Sequence, residues 1–300
     1  MKVLITGGNG FLGQHLCVYL SNNNFEVIAA GRKESRIPSS FNIPFYAVDL
    51  ADDIQVMQML HAIQPDVIVH TAAISKPDEC ENNRDHCIQQ NVKATEFLVK
   101  HFEDISAGNK HFIFTSTDFI FGEGGPHRED DKPDPLNFYG ESKRMAEEIA
   151  NNFSNIKTIV RPVFMYGNIW DGLRPSFLHW VKNNLEQKKN IKVVSDQFRT
   201  PTYVYDVCAG IKEIIERKKE GAYHLAGKDF ISPYDMAVST ANVLGLDASL
   251  IENVTSETFP EPVRRAKRSG LYIDKAIEEL NYNPVSFEEG VRKSFTTPIP

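Results

Sequence analysis

A chain of 300 residues is long enough to bury one large core, or a main domain with a smaller lobe, and its 41% hydrophobic and 24% charged residues are those of an ordinary globular protein. A net charge of -7 speaks against a nucleic-acid-binding surface, so any anionic ligand must be met by a local cluster of arginines and lysines. No apolar run approaches a membrane span, and an apolar run that starts at residue 2 leaves no room for a signal peptide; the expected location is the cytoplasm, away from any membrane.

The first apolar run, Val3-Leu4-Ile5, is too short for a globular helix. It meets Thr6-Gly7-Gly8-Asn9-Gly10-Phe11-Leu12-Gly13 ahead of an amphipathic stretch, which predicts strand, tight turn and helix. Gly8 and Gly10 let the backbone turn sharply and approach a pyrophosphate, and Gly13 lets the new helix pack close to the strand. The helix start offers unpaired N–H groups and partial positive charge to the anion. An ordinary glycine turn has the same letters, but its place directly behind the first strand favours a phosphate seat.

Further apolar runs at 25–30, 45–48, 67–70, 110–115 and 157–160 read as strands, and 54–63 and 91–102 carry apolar residues at helical spacing. This alternation predicts an α/β fold: a Rossmann-type, doubly wound parallel sheet with helices on both faces and ligands beyond the carboxyl ends of the strands. At the end of the second strand, where a preference for NAD would favour Asp or Glu, the chain has Gly31-Arg32-Lys33. A guanidinium suits a ribose 2′-phosphate, so NADP(H) is the expected cofactor and NAD(H) remains allowed; a solvated loop is the competing reading of Arg32. Asp49 either accepts a hydrogen bond from an adenine amino group or caps the helix that begins near Asp52. Ala72 and Ala73 are small enough to let backbone lie against a dinucleotide. The four cysteines, Cys17, Cys80, Cys87 and Cys208, show neither metal-knuckle spacing nor disulfide-scaffold density, so buried thiols and no metal centre are expected.

Thr115-Ser116-Thr117-Asp118 ends the fifth strand, and Tyr139-Gly140-Glu141-Ser142-Lys143 follows at the start of a helical stretch. Four residues apart, the phenol and the ammonium share one helix face. A neighbouring ammonium favours the phenolate and brings the tyrosine pKa nearer to working pH, so Tyr139 can exchange a proton with a carbonyl or alcohol oxygen while Thr117 orients that oxygen.

Residues 1–166 are the expected dinucleotide-binding domain, and 167–300 mostly a smaller α/β substrate-binding lobe. That lobe comprises helices at 175–185, 205–217, 233–244, 274–280 and 287–295, strands at 191–194 and 222–225, and a loop at 196–202 closing over the ligand. Later segments return to the first domain. His179, amid Phe177, Leu178 and Trp180, reads as a packing residue. The run Arg264-Arg265-Ala266-Lys267-Arg268-Ser269 either grips a diphosphate or is a solvated charge run.

Gly7-x-x-Gly10-x-x-Gly13, Thr117 and Tyr139-x-x-x-Lys143 together resemble the extended short-chain dehydrogenase/reductase family, whose members act mostly on nucleotide-linked sugars, and the similarity runs over nearly the whole chain. Within it the chain is similar to the dTDP-4-dehydrorhamnose reductase group. Ser116-Thr117-Asp118-Phe119-Ile120-Phe121 resembles that group's S-T-D-Y-V-F, and Pro135-Leu136-Asn137-Phe138-Tyr139-Gly140 resembles its P-L-N-x-Y-G. Ala72-Ala73 with Asp78 and Glu81, and Asp196-Gln197 with Pro201-Thr202, resemble two more of its motifs. The resemblance implies a catalytic trio of Thr117, Tyr139 and Lys143, and reduction of a 4-keto sugar by NADPH or NADH. It implies dinucleotide contacts at Gly7, Gly10, Phe11, Leu12, Gly13, Arg32, Asp49, Leu50, Ala72, Ala73 and Asn91, besides Tyr139 and Lys143. Substrate contacts are expected at Thr117, Asp118, Arg199, Arg264 and Arg268, with a nucleotide-linked sugar as partner and a homodimer as an admissible assembly.

Phe119 in place of the usual tyrosine, Arg199 where the group often has glycine, and Phe164-Met165-Tyr166-Gly167 without the group's usual tryptophan lie near the expected sugar or cofactor, which leaves room for a different substrate. Phe119 also stands where related dehydratases place Glu after Asp, and no cysteine lies between Lys110 and Arg161 to serve an epimerase-reductase, so both activities are disfavoured. A sugar-nucleotide 4-epimerase would keep the same trio. So would a non-catalytic dinucleotide-binding regulatory subunit of the kind represented by the methionine adenosyltransferase β subunit.

Overall fold

Short, continuous apolar runs separated by helices can bury both faces only as a parallel sheet with crossovers. The computed structural model, which describes residues 1–105, 108–170, 173–259 and 262–296, has that architecture. In chain order the strands are β1 (Lys2–Thr6), β2 (Glu26–Gly31), β3 (Phe45–Ala47), β4 (Val67–His70), β5 (His111–Thr115), β6 (Ile156–Arg161), β7 (Met165–Tyr166), β8 (Ile191–Val194), β9 (Thr202–Tyr203), β10 (Gly221–His224) and β11 (Ile251–Val254). The helices are α1 (Phe11–Asn22), α2 (Asp53–Ile63), α3 (Pro77–Asn82), α4 (Arg84–Cys87), α5 (Ala94–Asp104), α6 (Phe138–Asn151), α7 (Phe177–Glu186), α8 (Val204–Arg217), α9 (Pro233–Leu244), α10 (Asp274–Leu280) and α11 (Phe287–Thr296), with a π-helical stretch, Ile88–Lys93, between α4 and α5.

Seven strands pair in parallel in the order β10-β6-β5-β4-β1-β2-β3. The period of two in β1 divides the core. Val3 and Ile5 face one layer with Leu16 of α1, Ile211 of α8 and Leu280 of α10. Leu4 faces the other, with Met59 of α2, Leu98 of α5 and Ala146 of α6. Strand order reverses at β1, so the crevice for a ligand opens between the carboxyl ends of β1 and β4.

The smaller lobe is built on the parallel pair β8–β11, backed by α7 and α9. A second short pair, β7–β9, packs with Leu178, Met236 and Phe287. The structure corrects the expected membership of this lobe. Strand β10 pairs with β6 in the main sheet, and α8 and α10 pack on that sheet with α1. Their periodicity predicts strand and helix, but both sheets offer an apolar face, and only the three-dimensional path decides between them. Among the described residues no helix is long and apolar enough to cross a membrane.

The contact that sets the crevice is between backbones. A Cβ on Gly13 would lie 2.1 Å from the carbonyl oxygen of Gly7, so α1 rests directly on the turn that precedes it. Replacement Gly13→Ala is therefore expected to push α1 off the turn at a cost of roughly 1–3 kcal/mol. A urea-denaturation midpoint equal to that of the parent would contradict this packing.

Candidate functional site

At the end of β1 the chain turns through Gly7, whose φ is +74 and where a Cβ would meet the backbone nitrogen of Ala72 at 2.6 Å. The N–H of Gly10 donates to the Gly7 carbonyl at 2.8 Å, and α1 begins at Phe11 with no side-chain cap, leaving its first amides to point at the crevice. Beside it, Asn9 ties down the loop after β2. Its amide donates to the carbonyls of Arg32 (3.1 Å) and Glu34 (2.9 Å), and its oxygen accepts from the N–H of Arg36 (2.8 Å). The result is a cavity of about 450 Å³ lined by Gly7, Asn9, Gly10, Gly31, Arg32, Lys33, Arg36, Val48, Leu50, Thr71, Ala72, Ala73, Ile74 and Gln90. Its floor of bare backbone, a helix N-terminus and three cationic side chains at one rim fit a dinucleotide carrying an extra phosphate.

Of the expected dinucleotide contacts, Gly7, Gly10, Arg32, Leu50, Ala72 and Ala73 line this groove. Phe11, Leu12 and Gly13 do not line it with side chains. Leu12 is buried in the core, Phe11 packs on the His15 ring at 4.7 Å, and the three form the first turn of α1. Asn91 lies behind the groove wall, and Asp49 is not the cap of α2. An Asp49 oxygen accepts from the N–H of Ala51 at 3.0 Å, and the cap of α2 is Asp52, which accepts from the N–H groups of Ile54 and Gln55. Asn91, 1% exposed, holds the backbone of Ile74, accepting from its N–H at 2.7 Å and donating to its carbonyl at 3.1 Å. Its neighbour Gln90 faces the groove instead, because the π-helical stretch rotates the register. Asn9, Arg36 and Gln90 were missed by the sequence reading. For the first two a signal existed, an Asn inside a glycine turn and an Arg four residues past Arg32; for Gln90 there was none.

The second half of the site rests on α6. Asn137 caps it by accepting from the N–H of Gly140 at 3.1 Å, and a Glu81 oxygen accepts from the N–H of Phe138 at 3.3 Å. Tyr139 and Lys143, one turn apart, are 8% and 2% exposed. The Thr117 hydroxyl, which donates to Asp118 at 3.3 Å and accepts from the N–H of Phe119 at 3.3 Å, lies close enough to Tyr139 to favour the phenolate, and the Phe119 ring meets the Tyr139 ring edge-on at 5.5 Å. Tyr139 packs in one small cluster with Ile74, which lines the groove, so the phenol lies behind the groove wall and not among its lining residues.

The electrostatics differ from the sequence expectation that Lys143 lowers the tyrosine pKa. Burial pushes Tyr139 above the ordinary phenol range, with the Thr117 hydroxyl acting the other way. Burial also lowers Lys143 to about 7, opposed by Glu147. Its Nζ donates to the Thr115 carbonyl at 2.7 Å and sits 4.0 Å from the centre of the Phe114 ring. Both groups are thus desolvated, and the phenol stays protonated.

Beyond Phe119 lies a constricted pocket of about 10 Å³ lined by Asp118, Phe119, Phe121, Leu136, Asn137, Arg199, Arg265, Ala266 and Ser269. Burial raises the Asp118 carboxyl to about 6, with Arg199 opposing. Asp118 and Arg199 are therefore brought together, next to Thr117. Arg264 and Arg268 are not brought there. Arg264 lines a separate surface depression with Glu81 and Arg84, and Arg268 is exposed over the rings of Phe198 and Phe230, 5.5 and 4.8 Å from their centres. Arg265 and Ser269 take those places, and Arg265 also pairs with Asp78 across the cleft at 3.1 Å. His179 is a packing residue, its ring tilted against that of Phe295 at 4.8 Å and bonded to the Ser176 hydroxyl at 2.8 Å. All four cysteines are buried and unpaired.

Comparison with known proteins gives matches over the full length. Residues 1–298 match the family model described as RmlD substrate binding domain. The chain is 30% identical to the spore coat polysaccharide biosynthesis protein SpsK of Bacillus subtilis (strain 168), over 97% of this chain and 96% of that protein. It is 31% identical to methionine adenosyltransferase 2 subunit beta of Bos taurus, over 89% of this chain and 78% of that protein. Among solved structures, dTDP-4-dehydrorhamnose reductase from Bacillus anthracis str. Ames in complex with NADP superposes with a TM-score of 0.86 at 25% identity, covering 99% of each chain.

Two outcomes follow from the site's charges. Replacement Arg32→Ala should weaken NADPH binding by about tenfold or more, the worth of a charged hydrogen bond, and NADH binding hardly at all; equal losses in a titration with both would overturn the phosphate role. The second concerns Lys143, whose pKa of about 7 lies below its ordinary 10.5. Between those values the unfolded chain holds more protons, so this residue's penalty on folding is full below pH 7 and fades as pH rises toward 10.5. Lys143→Met should accordingly stabilise the fold more at pH 7 than at pH 10 in urea unfolding, and the reverse order would contradict the burial of the ammonium.

Proposed function

We propose that this chain, which belongs to the RmlD substrate binding domain family, is an NADP(H)-dependent oxidoreductase that reduces the 4-keto group of a nucleotide-activated deoxysugar, NAD(H) being an alternative cofactor. The observation that carries the reading is the position of Tyr139, beside Thr117 and packed on Ile74 and Phe119 between the glycine-floored groove and the arginine-lined pocket. The Bacillus anthracis reductase with NADP, alike over the whole chain, supports the same chemistry.

The reduced nicotinamide, when bound, supplies the hydride. Tyr139, kept protonated by burial, gives its proton to the carbonyl oxygen and recovers one from solvent through the cleft. Thr117 orients that oxygen, and its hydroxyl makes the phenol a better donor. Lys143, held one turn along α6 by the Thr115 carbonyl, adds positive charge behind the phenol only in its protonated form, which burial leaves partly populated near neutral pH. Arg199 and Arg265 meet the phosphates of the sugar nucleotide, and Asp118, near-neutral at working pH, hydrogen-bonds a sugar hydroxyl.

The likeness to methionine adenosyltransferase 2 subunit beta supports a second reading, a dinucleotide-binding subunit without turnover. Incubation with NADPH and a panel of dTDP-, UDP- and GDP-linked 4-keto sugars separates the two. Loss of nicotinamide absorbance is expected with a member of the panel, whereas silence with NADPH bound favours the second. On the active substrate, Tyr139→Phe should lower turnover by roughly 10²–10⁴-fold while NADPH affinity stays near that of the parent. An unchanged rate would remove Tyr139 from the mechanism.

A further inference from the structure

Behind Tyr139 lies a pair of thiols that the proposed chemistry does not use. Cys80 of α3 and Cys87 of α4 are both 0% exposed, and they share one cluster with Ile74 and Tyr139. The Cys80 thiol has two acceptors in reach, the Ile74 carbonyl at 3.5 Å and the sulfur of Cys87. The Asn91 amide lies 3.4 Å from the Cys87 sulfur and 4.0 Å from that of Cys80, and Ser142 and the Lys143 ammonium also act on Cys87. One amide within reach of both sulfurs, with the Lys143 side chain beside Cys87, makes a polar setting for a thiol pair, unlike that of an inert core cysteine. The hydrogen bond from Cys80 first, then Ser142 and Lys143, lowers Cys87 to about 7, with burial and Glu79 acting against them. Cys17 and Cys208 provide the contrast: burial raises Cys17, and burial with Cys17 and Asp206 raises Cys208, both out of the reactive range.

We propose that Cys80 and Cys87 are a redox site: a hydroperoxide converts the pair to an intramolecular disulfide, and the disulfide loosens the wall of the dinucleotide groove. The Cys87 thiolate attacks a peroxide oxygen, the O–O bond breaks, and the departing hydroxide leaves as water after taking a proton, which gives a sulfenic acid. The Cys80 sulfur then attacks the sulfenyl sulfur, the S–O bond breaks, and the hydroxyl leaves as a second water with the Cys80 proton. Each sulfur loses one electron and the peroxide gains two. Both sulfurs are shut off from solvent, so the oxidant reaches them through a local opening, which α3 and α4, with six and four residues, are short enough to allow.

The consequence for the groove runs through Ile74. Its carbonyl receives the Cys80 thiol and the Asn91 amide, and its N–H is held by the Asn91 oxygen. A disulfide leaves Cys80 with no hydrogen to give and draws α3 toward α4, away from that carbonyl. The effect on NADPH rests on the groove being the dinucleotide seat; formation of the disulfide does not.

The test treats the full-length reduced protein with hydrogen peroxide and reads mass and NADPH affinity. Expected are the loss of two hydrogens per chain, a Cys80–Cys87 cross-linked peptide in a non-reducing digest, and NADPH affinity lowered by about fivefold or more and restored by dithiothreitol. Cys80→Ser and Cys87→Ser should each abolish both changes, and the parent chain carries the test alone should either variant misfold. Oxygen addition without a cross-link, a cross-link at Cys17 or Cys208 instead, or a disulfide that leaves NADPH affinity unchanged would each overturn the proposal. Reduced protein that fails to bind NADPH at all would defeat the groove reading, while the mass result would still decide whether the disulfide forms.

Discussion

The close seat of α1 on the turn at Gly7 is the constraint on which the rest of the site depends. Only with no Cβ at Gly13 can the helix rest on the Gly7 carbonyl, and only then do its unpaired amides open into the crevice between β1 and β4. The floor of the groove is made of main chain because that crevice is narrow. Ala72 and Ala73 line its far side because a larger side chain there would fill the space that a dinucleotide needs.

A second layer of residues holds that floor in place without touching it. Asn9 fastens the loop that carries Arg32 and Arg36, and Asn91 fastens Ile74 from within the π-helical stretch. Both act through bidentate use of a side-chain amide on backbone groups that no strand or helix satisfies. The same Asn91 amide reaches the Ser142 hydroxyl at 3.0 Å, one residue before Lys143, so the groove wall and the helix bearing Tyr139 share a fastening.

Burial governs the electrostatics of the cleft more than any single pair does. The phenol and the amine are both driven toward their neutral forms, and Asp118 is raised while its partner Arg199 stays beside it. One turn beyond Lys143, Glu147 makes a two-pronged bond to Arg161 at the end of β6, at 3.0 and 2.8 Å. That anchored carboxylate is what opposes the desolvation of Lys143. A dry site of this kind strengthens each remaining interaction.

The strands β1 and β4, the glycine turn, the helix α1 and the pairing of Tyr139 with Lys143 were all legible in the sequence. Each is a local pattern, a run, a period or a spacing of four, set by neighbours along the chain. The cationic end of the groove was legible for the same reason, since Arg32 directly follows the end of β2. Only the tertiary structure decided that β10 returns to the main sheet, that Asp52 and not Asp49 caps α2, and that Arg265 and Ser269 face the pocket where Arg264 and Arg268 had been expected. An irregular segment has no period from which a face can be read. The direction of the Tyr139 and Lys143 shifts belongs to the same class, because burial is made by chain that lies far away in sequence and folds over them.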